Sequence, residues 1–424
     1  MKNASHHDVS LRPLNDAADA VRTFYERLPY PAPITNLDRH RDLYRNPDRR
    51  RALFHLLWPC ERARGDEKIL VAGCGTSQAA TVALREPDAR VTAIDISETS
   101  LGFTRDLQQK YGLENLELHQ LPIEGLPELG CTFDQIVCTG VLHHLPDPDI
   151  GLQALRAALE PQGAMHLMVY AAYGRTGIYM MQEYCRLLEV SASEEELRDL
   201  GSMIGALPAD HPIACVASRA KDFRHPDALA DALLHPQDRA YTVPQLYAWL
   251  ERCGLSFGRW SLQAPYLAQC GMVAPTPHAA RLASLPAPQQ HAALELLRGT
   301  MTKHEFVAYR DDRPKEAQPI RFDDDHWLDY VPVRMPATMS VRERLPEGAV
   351  AVLLNSAHTP HTDIFLPIDA VEERLFSAID GTQSINEILR SASDNPDDLD
   401  NRDGARRFFE RLWHYDQIVF DATK

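Results

Sequence analysis

The chain has 424 residues, 44% hydrophobic and 25% charged, enough for two or three domains with a full core and no need of disulfide or metal staples. Its formal net charge of −16 argues against nucleic-acid binding, since phosphates must be met by lysine and arginine and the richest basic stretch, residues 39–51, is broken by Asp42 and Asp48. Its eight cysteines form no C-x-x-C pair, the first residues are polar and no long apolar run occurs, so a reduced cytoplasmic protein without a membrane span is expected.

Residues 14–28 read as a helix, followed by the turn Pro29-Tyr30-Pro31-Ala32-Pro33 and a second helix over 48–63. A regular alternation then begins. The apolar run 68–72 ends in Gly73-Cys74-Gly75 and is followed by a helix over 77–85. A strand over 90–94 ends at Asp95, and a helix over 97–111 leads to a strand at 116–119. Strand 133–139, helix 149–160 and strand 164–170 complete the series. Short apolar runs alternating with helical patterns imply parallel strands joined by right-handed crossovers, a doubly wound α/β sheet. Residues 174–240 interrupt it with helical and loop sequence. The alternation resumes with helix 243–253, strand 256–261, helix 289–298 and strand 305–309.

The charged, proline-containing stretch 311–325 reads as a linker to a smaller α+β unit over 326–424. Strands are expected there at 349–353, 362–366 and 417–420, with helices at 370–379, 385–392 and 405–415. The expected division is an N-terminal helical lid over 1–66, a sheet domain over 67–311 and this C-terminal unit.

Ligands of open α/β sheets bind beyond the carboxyl ends of the strands, near the point where strand order reverses. Gly73-Cys74-Gly75 lies at that end of the first strand, where glycine lets the backbone turn sharply and approach a ligand. Asp95 ends the second strand, 22 residues on (95 − 73), where a carboxylate can accept both hydroxyls of a ribose.

These features, together with FDQIVCTGVLHHLPDP, GLQALRAALEPQGAMHLMVY and the helix–strand unit VPQLYAWLERCGLSFGRWS, resemble class I S-adenosylmethionine-dependent methyltransferases, specifically the ubiquinone/menaquinone branch. The resemblance implies a Rossmann-like methyltransferase sheet with S-adenosylmethionine as cofactor. It puts Gly73, Cys74 and Gly75 at the cofactor's amino-acid end, Asp95 on the ribose, and Ile96 with Leu121, Pro122 and Ile123 around the adenine. Thr139, Gly140 and Val141 then line the methionine part. Ala72 and Ser77 depart from the pattern, standing where an acidic residue and a third glycine are common. The G-C-G-T-S-Q segment also lacks the third glycine of a hydride-transfer fingerprint.

Methyl transfer from a sulfonium is an in-line displacement, so proximity and a dry pocket carry most of the work. A general base is needed only for a protonated acceptor. His143, His144 and Tyr30 are the candidate catalytic side chains, and Tyr25, Tyr170, Tyr173 and Arg175 the candidate acceptor-binding ones. No metal site is expected beside the histidines. The acceptor is a small metabolite or a peptide or protein side chain; the competing reading is a non-catalytic cofactor-binding regulator or scaffold. In the C-terminal unit, His358, His361 and Asp363 read as a solvated loop, and residues 379–388 resemble the helix-turn-helix of small winged-helix peptide-recognition modules.

Overall fold

The computed structural model describes residues 14–219, 223, 225–313, 320–358, 361–392 and 399–423. Part of the expected linker, residues 314–319, and the polar start of the chain lie outside them.

Three helices precede the sheet: α1 (Leu14–Arg27), α2 (Asp38–Tyr44) and α3 (Pro47–Leu57). The expected helix over 48–63 stops at Leu57 because Pro59 follows, and the residue before a proline is driven out of the helical region. Then come β1 (Lys68–Ala72), α4 (Gln78–Arg85), β2 (Arg90–Asp95), α5 (Glu98–Tyr111), β3 (Leu116–Gln120), β4 (Phe133–Thr139), α6 (Pro148–Ala158) and β5 (Leu159–Tyr170). β5 starts five residues before its expected first residue. Its register against β4 shifts between Phe133 and Gln135, so an irregularity absorbs the Pro161 to Gly163 stretch without ending the strand.

Among the described residues the insertion forms four α-helices: α7 (Thr176–Leu187), α8 (Glu194–Ala206), α9 (Pro212–Arg219) and α10 (Pro226–Leu234). The sheet closes with α11 (Val243–Arg252), β6 (Leu255–Trp260), α12 (His278–Ala283), α13 (Ala287–Arg298) and β7 (Lys303–Arg310). Strand order is β3-β2-β1-β4-β5-β7-β6. The first five strands pair in parallel, while β7 runs antiparallel to both β5 and β6. This is the Rossmann-like methyltransferase sheet. Its order reverses between β1 and β4, which places the ligand crevice there.

One face of the sheet packs on α4 and α5 through residues such as Val71, Ala80 and Leu101, and Leu37 joins this core. The other face packs on α6 and α11 through Leu152, Leu246 and Trp249. The insertion has a core of its own, into which Phe24 and Leu28 from the N-terminal segment pack.

The C-terminal residues form β8 (Val331–Arg334), β9 (Thr338–Val341), β10 (Ala351–Asn355), β11 (Leu366–Ile368), α14 (Ala370–Ser377), α15 (Ile385–Ala392), α16 (Leu399–His414) and β12 (Ile418–Asp421). β11-β10-β9 make one antiparallel sheet and β12-β8 another. β11 begins four residues later than expected and tolerates Pro367 because it is an edge strand. The core of these residues includes Ala264 and Cys270 from the segment after β6. Ala52 and Leu56 of α3 pack on Val333 and Val419, so the first and last parts of the chain share a cluster.

The loop with His358 and Asp363 is structural rather than solvated. Nε2 of buried His358 lies 3.0 Å from Asp416 Oδ2, and Asp363 accepts from Arg298 Nη1 at 3.0 Å and from the Met272 amide at 2.9 Å.

Candidate active site

The turn after β1 is shaped by two left-handed glycines, Gly73 (φ +69°) and Gly75 (φ +54°). A Cβ on Gly73 would stand 2.3 Å from Val141 Cγ2, so only glycine lets this turn lie against the end of β4. The Gly75 amide donates to Asp95 Oδ2 at 2.8 Å, and the Ser97 amide to Asp95 Oδ1 at 2.9 Å. Burial raises the Asp95 pKa against these two amide bonds, which pull it down. Each carboxylate oxygen keeps a second lone pair for a ligand hydroxyl.

A cavity of about 650 Å³ opens at the switch point. Gly73, Cys74 and Gly75 line it with Asp95 and Ile96, as do Leu121, Pro122 and Ile123 from the segment after β3 and Thr139, Gly140 and Val141 after β4. Four segments far apart in sequence thus meet in one space. The Cys74 side chain is buried, and burial pushes its thiol up, so this residue offers backbone rather than a reactive sulfur.

The N-terminal segment roofs the cavity. Ala18, Val21, Arg22 and Tyr25 of α1 line it, and so do Tyr30 and Pro31. The roof is tied down at both ends. The Glu26 carboxylate accepts from the Glu98 amide at 2.7 Å, at the start of α5, and Thr76 Oγ1 donates to the Pro31 carbonyl at 2.8 Å.

At the far end stand His144, Met168, Tyr170 and Asp231. Asp231, on α10, is 3% exposed and accepts from Tyr25 Oη at 3.1 Å and Tyr170 Oη at 3.4 Å. Burial raises the Asp231 pKa, and burial together with Asp231 holds both tyrosine hydroxyls well above their ordinary value. His144 Nδ1 lies 2.7 Å from the Gln237 carbonyl oxygen; a carbonyl only accepts, so Nδ1 is the donor and Nε2 carries the lone pair of the neutral ring.

Three expectations are corrected. His143 is fully buried, packed at a 37° tilt against Tyr170 with 3.9 Å between ring centroids, and does not line the cavity. It shares a 3-10 turn with His144, and at three residues per turn neighbouring side chains diverge widely. Arg175 is buried: its Nη2 is 3.1 Å from Asp238 and its guanidinium lies 3.4 Å over the Tyr170 ring, so it braces Tyr170 instead of reaching an acceptor. Tyr173 is 41% exposed and lies outside the cavity.

Asp231 was not foreseen. Its signal was a lone carboxylate in the otherwise apolar stretch of α10, ALADALL, where an unpaired acid has no structural reason to sit.

A family profile described as "Methyltransferase domain" matches residues 64–211. An uncharacterized protein of Synechococcus sp. is 35% identical over 279 residues, 64% of this chain and 66% of its own length. The ubiquinone biosynthesis O-methyltransferase of Acinetobacter baumannii is 33% identical over 113 residues, 26% of this chain and 47% of its own. The chain therefore covers less than two thirds of these relatives. Among solved structures, PKMT2 from Rickettsia typhi, also solved in complex with AdoHcy, shares the fold with a TM-score of 0.63 at 15% identity, over 89% of this chain and 75% of that one.

Proposed function

We propose that this chain, whose residues 64–211 are a class I S-adenosylmethionine-dependent methyltransferase domain, is as a whole an enzyme that methylates a small metabolite or the side chain of a peptide or protein. The observation that carries the reading is the single cavity in which Asp95, the Gly73 to Gly75 turn and the segments after β3 and β4 converge.

The donor set suits S-adenosylmethionine. Asp95 presents its free lone pairs to the ribose hydroxyls. Ile96, Leu121, Pro122 and Ile123 offer apolar surface for the adenine. The Gly73 to Gly75 turn, Thr139, Gly140 and Val141 hold the amino-acid part, with the Gly140 carbonyl in place of the missing acidic residue as acceptor for the ammonium. When bound, the cofactor supplies an activated methyl group.

The rest falls to the chain. α1 and the Tyr30-Pro31 segment exclude water. Tyr25, Tyr30 and Tyr170 flank the acceptor and fix its approach. His144 Nε2 and the Asp231 carboxylate are the polar groups within reach of an acceptor proton, so a hydroxyl, thiol or amine can be deprotonated as its lone pair attacks. The resemblance to ubiquinone O-methyltransferases favours a small acceptor, and the C-terminal unit offers a surface for a larger one.

The test is production of S-adenosylhomocysteine, with mass spectrometry of metabolites and peptides incubated with and without the protein. A gain of about 14 mass units on one species, dependent on Asp95, is the expected result; no product and no cofactor binding defeats the reading.

A further inference from the structure

Beside the acceptor end lies a nest of buried polar side chains larger than methyl transfer requires. His144, Asp231 and His235 each place a ligand atom within 4.8 Å of the others, and all three are buried. The nest continues into His143 and Asp238. Within it, both nitrogens of His143, Nε2 of His235 and Oδ1 of Asp238 have no hydrogen-bond partner. Of these atoms Nε2 of His235 belongs to the His144–Asp231–His235 cluster, and an orphaned buried polar group of this kind costs about 1–3 kcal/mol unless a ligand meets it.

We propose that His144, Asp231 and His235 hold a divalent zinc-like cation at the acceptor end of the cofactor cavity. Two imidazoles and one carboxylate, with a position left open, are the donor set of catalytic zinc sites. Charge selects Asp231 over Asp238: Arg175 already neutralises Asp238, whereas Asp231 has no ion-pair partner among the described residues. A buried carboxylate of this kind is stabilised by a cation. His144 is already set as a ligand, since its Nδ1–H is held by the Gln237 carbonyl and its Nε2 is left bare. His235 offers its Nε2, which is buried and has no hydrogen-bond partner.

Two adjustments follow from geometry. Metal–ligand bonds of about 2.1 Å put tetrahedral ligands about 3.4 Å apart, so any pair of ligand atoms now farther apart than that must close. His235 Nδ1 now accepts from the Gln237 amide at 3.1 Å, so coordination through Nε2 moves the ring proton to Nδ1 and releases that amide.

Because His144 and Asp231 line the cavity, the open coordination position faces it. The consequence for reaction rests on the methyltransferase reading. An acceptor hydroxyl or thiol bound there loses its proton to bulk water, and its lone pair attacks the methyl carbon. The carbon–sulfur bond breaks, and S-adenosylhomocysteine leaves with that electron pair. In the loaded protein His144 is then a ligand rather than a base.

The test uses the full chain, stripped with a chelator and titrated with Co(II), then Zn(II), without acceptor. We expect one tight equivalent, a visible cobalt spectrum displaced by zinc, and affinity about tenfold or more weaker in Asp231→Asn and in His235→Gln. His326→Gln, which removes an exposed surface histidine, should change nothing. Absence of a stoichiometric cobalt spectrum in the wild type overturns the site whatever the variants do, as does unchanged binding in both ligand variants. Calorimetry with S-adenosylhomocysteine on the same samples reads the cofactor site separately. Loss of that binding with cobalt retained would count against the methyltransferase reading alone.

Discussion

The Gly75 amide nitrogen stands 2.8 Å from Asp95 Oδ2, which ties the turn after β1 to the carboxylate ending β2. Asp95 therefore has two tasks, holding the turn and receiving a ribose. Asp95→Ala should weaken S-adenosylmethionine binding by about 1–3 kcal/mol, and Asp95→Asn by less, since an amide oxygen can still accept from one backbone N–H. Isothermal calorimetry decides; equal affinity in wild type and Asp95→Ala would remove Asp95 from the site.

Gly75 combines φ +54° with a Cβ position 3.3 Å from the Tyr30 carbonyl oxygen. Gly75→Val should lose cofactor binding and also melt lower, because a side chain in the left-handed region costs about 1–2 kcal/mol. A folded variant that binds the cofactor normally would place the pocket elsewhere.

The roof is fastened where Glu26 accepts from the Glu98 amide. Deleting residues 1–34 should lower turnover by on the order of a hundredfold while sparing much of the cofactor affinity, since alignment and exclusion of water are lost first. Glu26→Ala, which loosens the roof without removing it, should show the same split more weakly. Full-rate methylation by the deletion protein would assign closure to the insertion alone.

Asp416 is buried with φ +55°, and it accepts from Gln263 N at 3.1 Å, Ala264 N at 3.0 Å, Arg259 Nη2 at 3.3 Å and His358 Nε2 at 3.0 Å. Asp416→Ala strands a buried guanidinium and should cost about 3–5 kcal/mol in chemical denaturation. By the same contacts, a fragment ending at residue 313 should be insoluble or much less stable than the full chain. A well-behaved fragment with full cofactor affinity would instead make the C-terminal residues an independent unit.

His291 is buried against Trp260 and Tyr247, and burial lowers its pKa from 6.5 to about 4. Its folded pKa lies below its unfolded one, so the unfolded chain takes up a proton first. Its stability contribution is complete above pH 6.5 and is lost as pH falls toward 4. Each pH unit in that window should cost about 1.4 kcal/mol, and His291→Gln should flatten the acid side of the stability profile by that slope. An unchanged profile would mean that the imidazole charges freely in the folded state.

The sheet was legible in the sequence because its signals are local. Apolar runs of strand length, G-C-G at the end of one and Asp95 at the end of the next fix element type and order within a few residues of chain, and all the residues read as cofactor-contacting fall on one cavity. What lay outside the sequence is set by long-range packing. Only the fold brings Asp231 and His235 of the insertion to His144, about 90 residues earlier in sequence (235 − 144 = 91), and only the fold turns His143 inward where its neighbour turns out. Likewise, the loop holding His358 read as solvated because its partner, Asp416, comes 58 residues later (416 − 358). Periodicity records which face of an element is buried; it does not record which elements meet, and at this site the meeting decides which side chains can touch an acceptor.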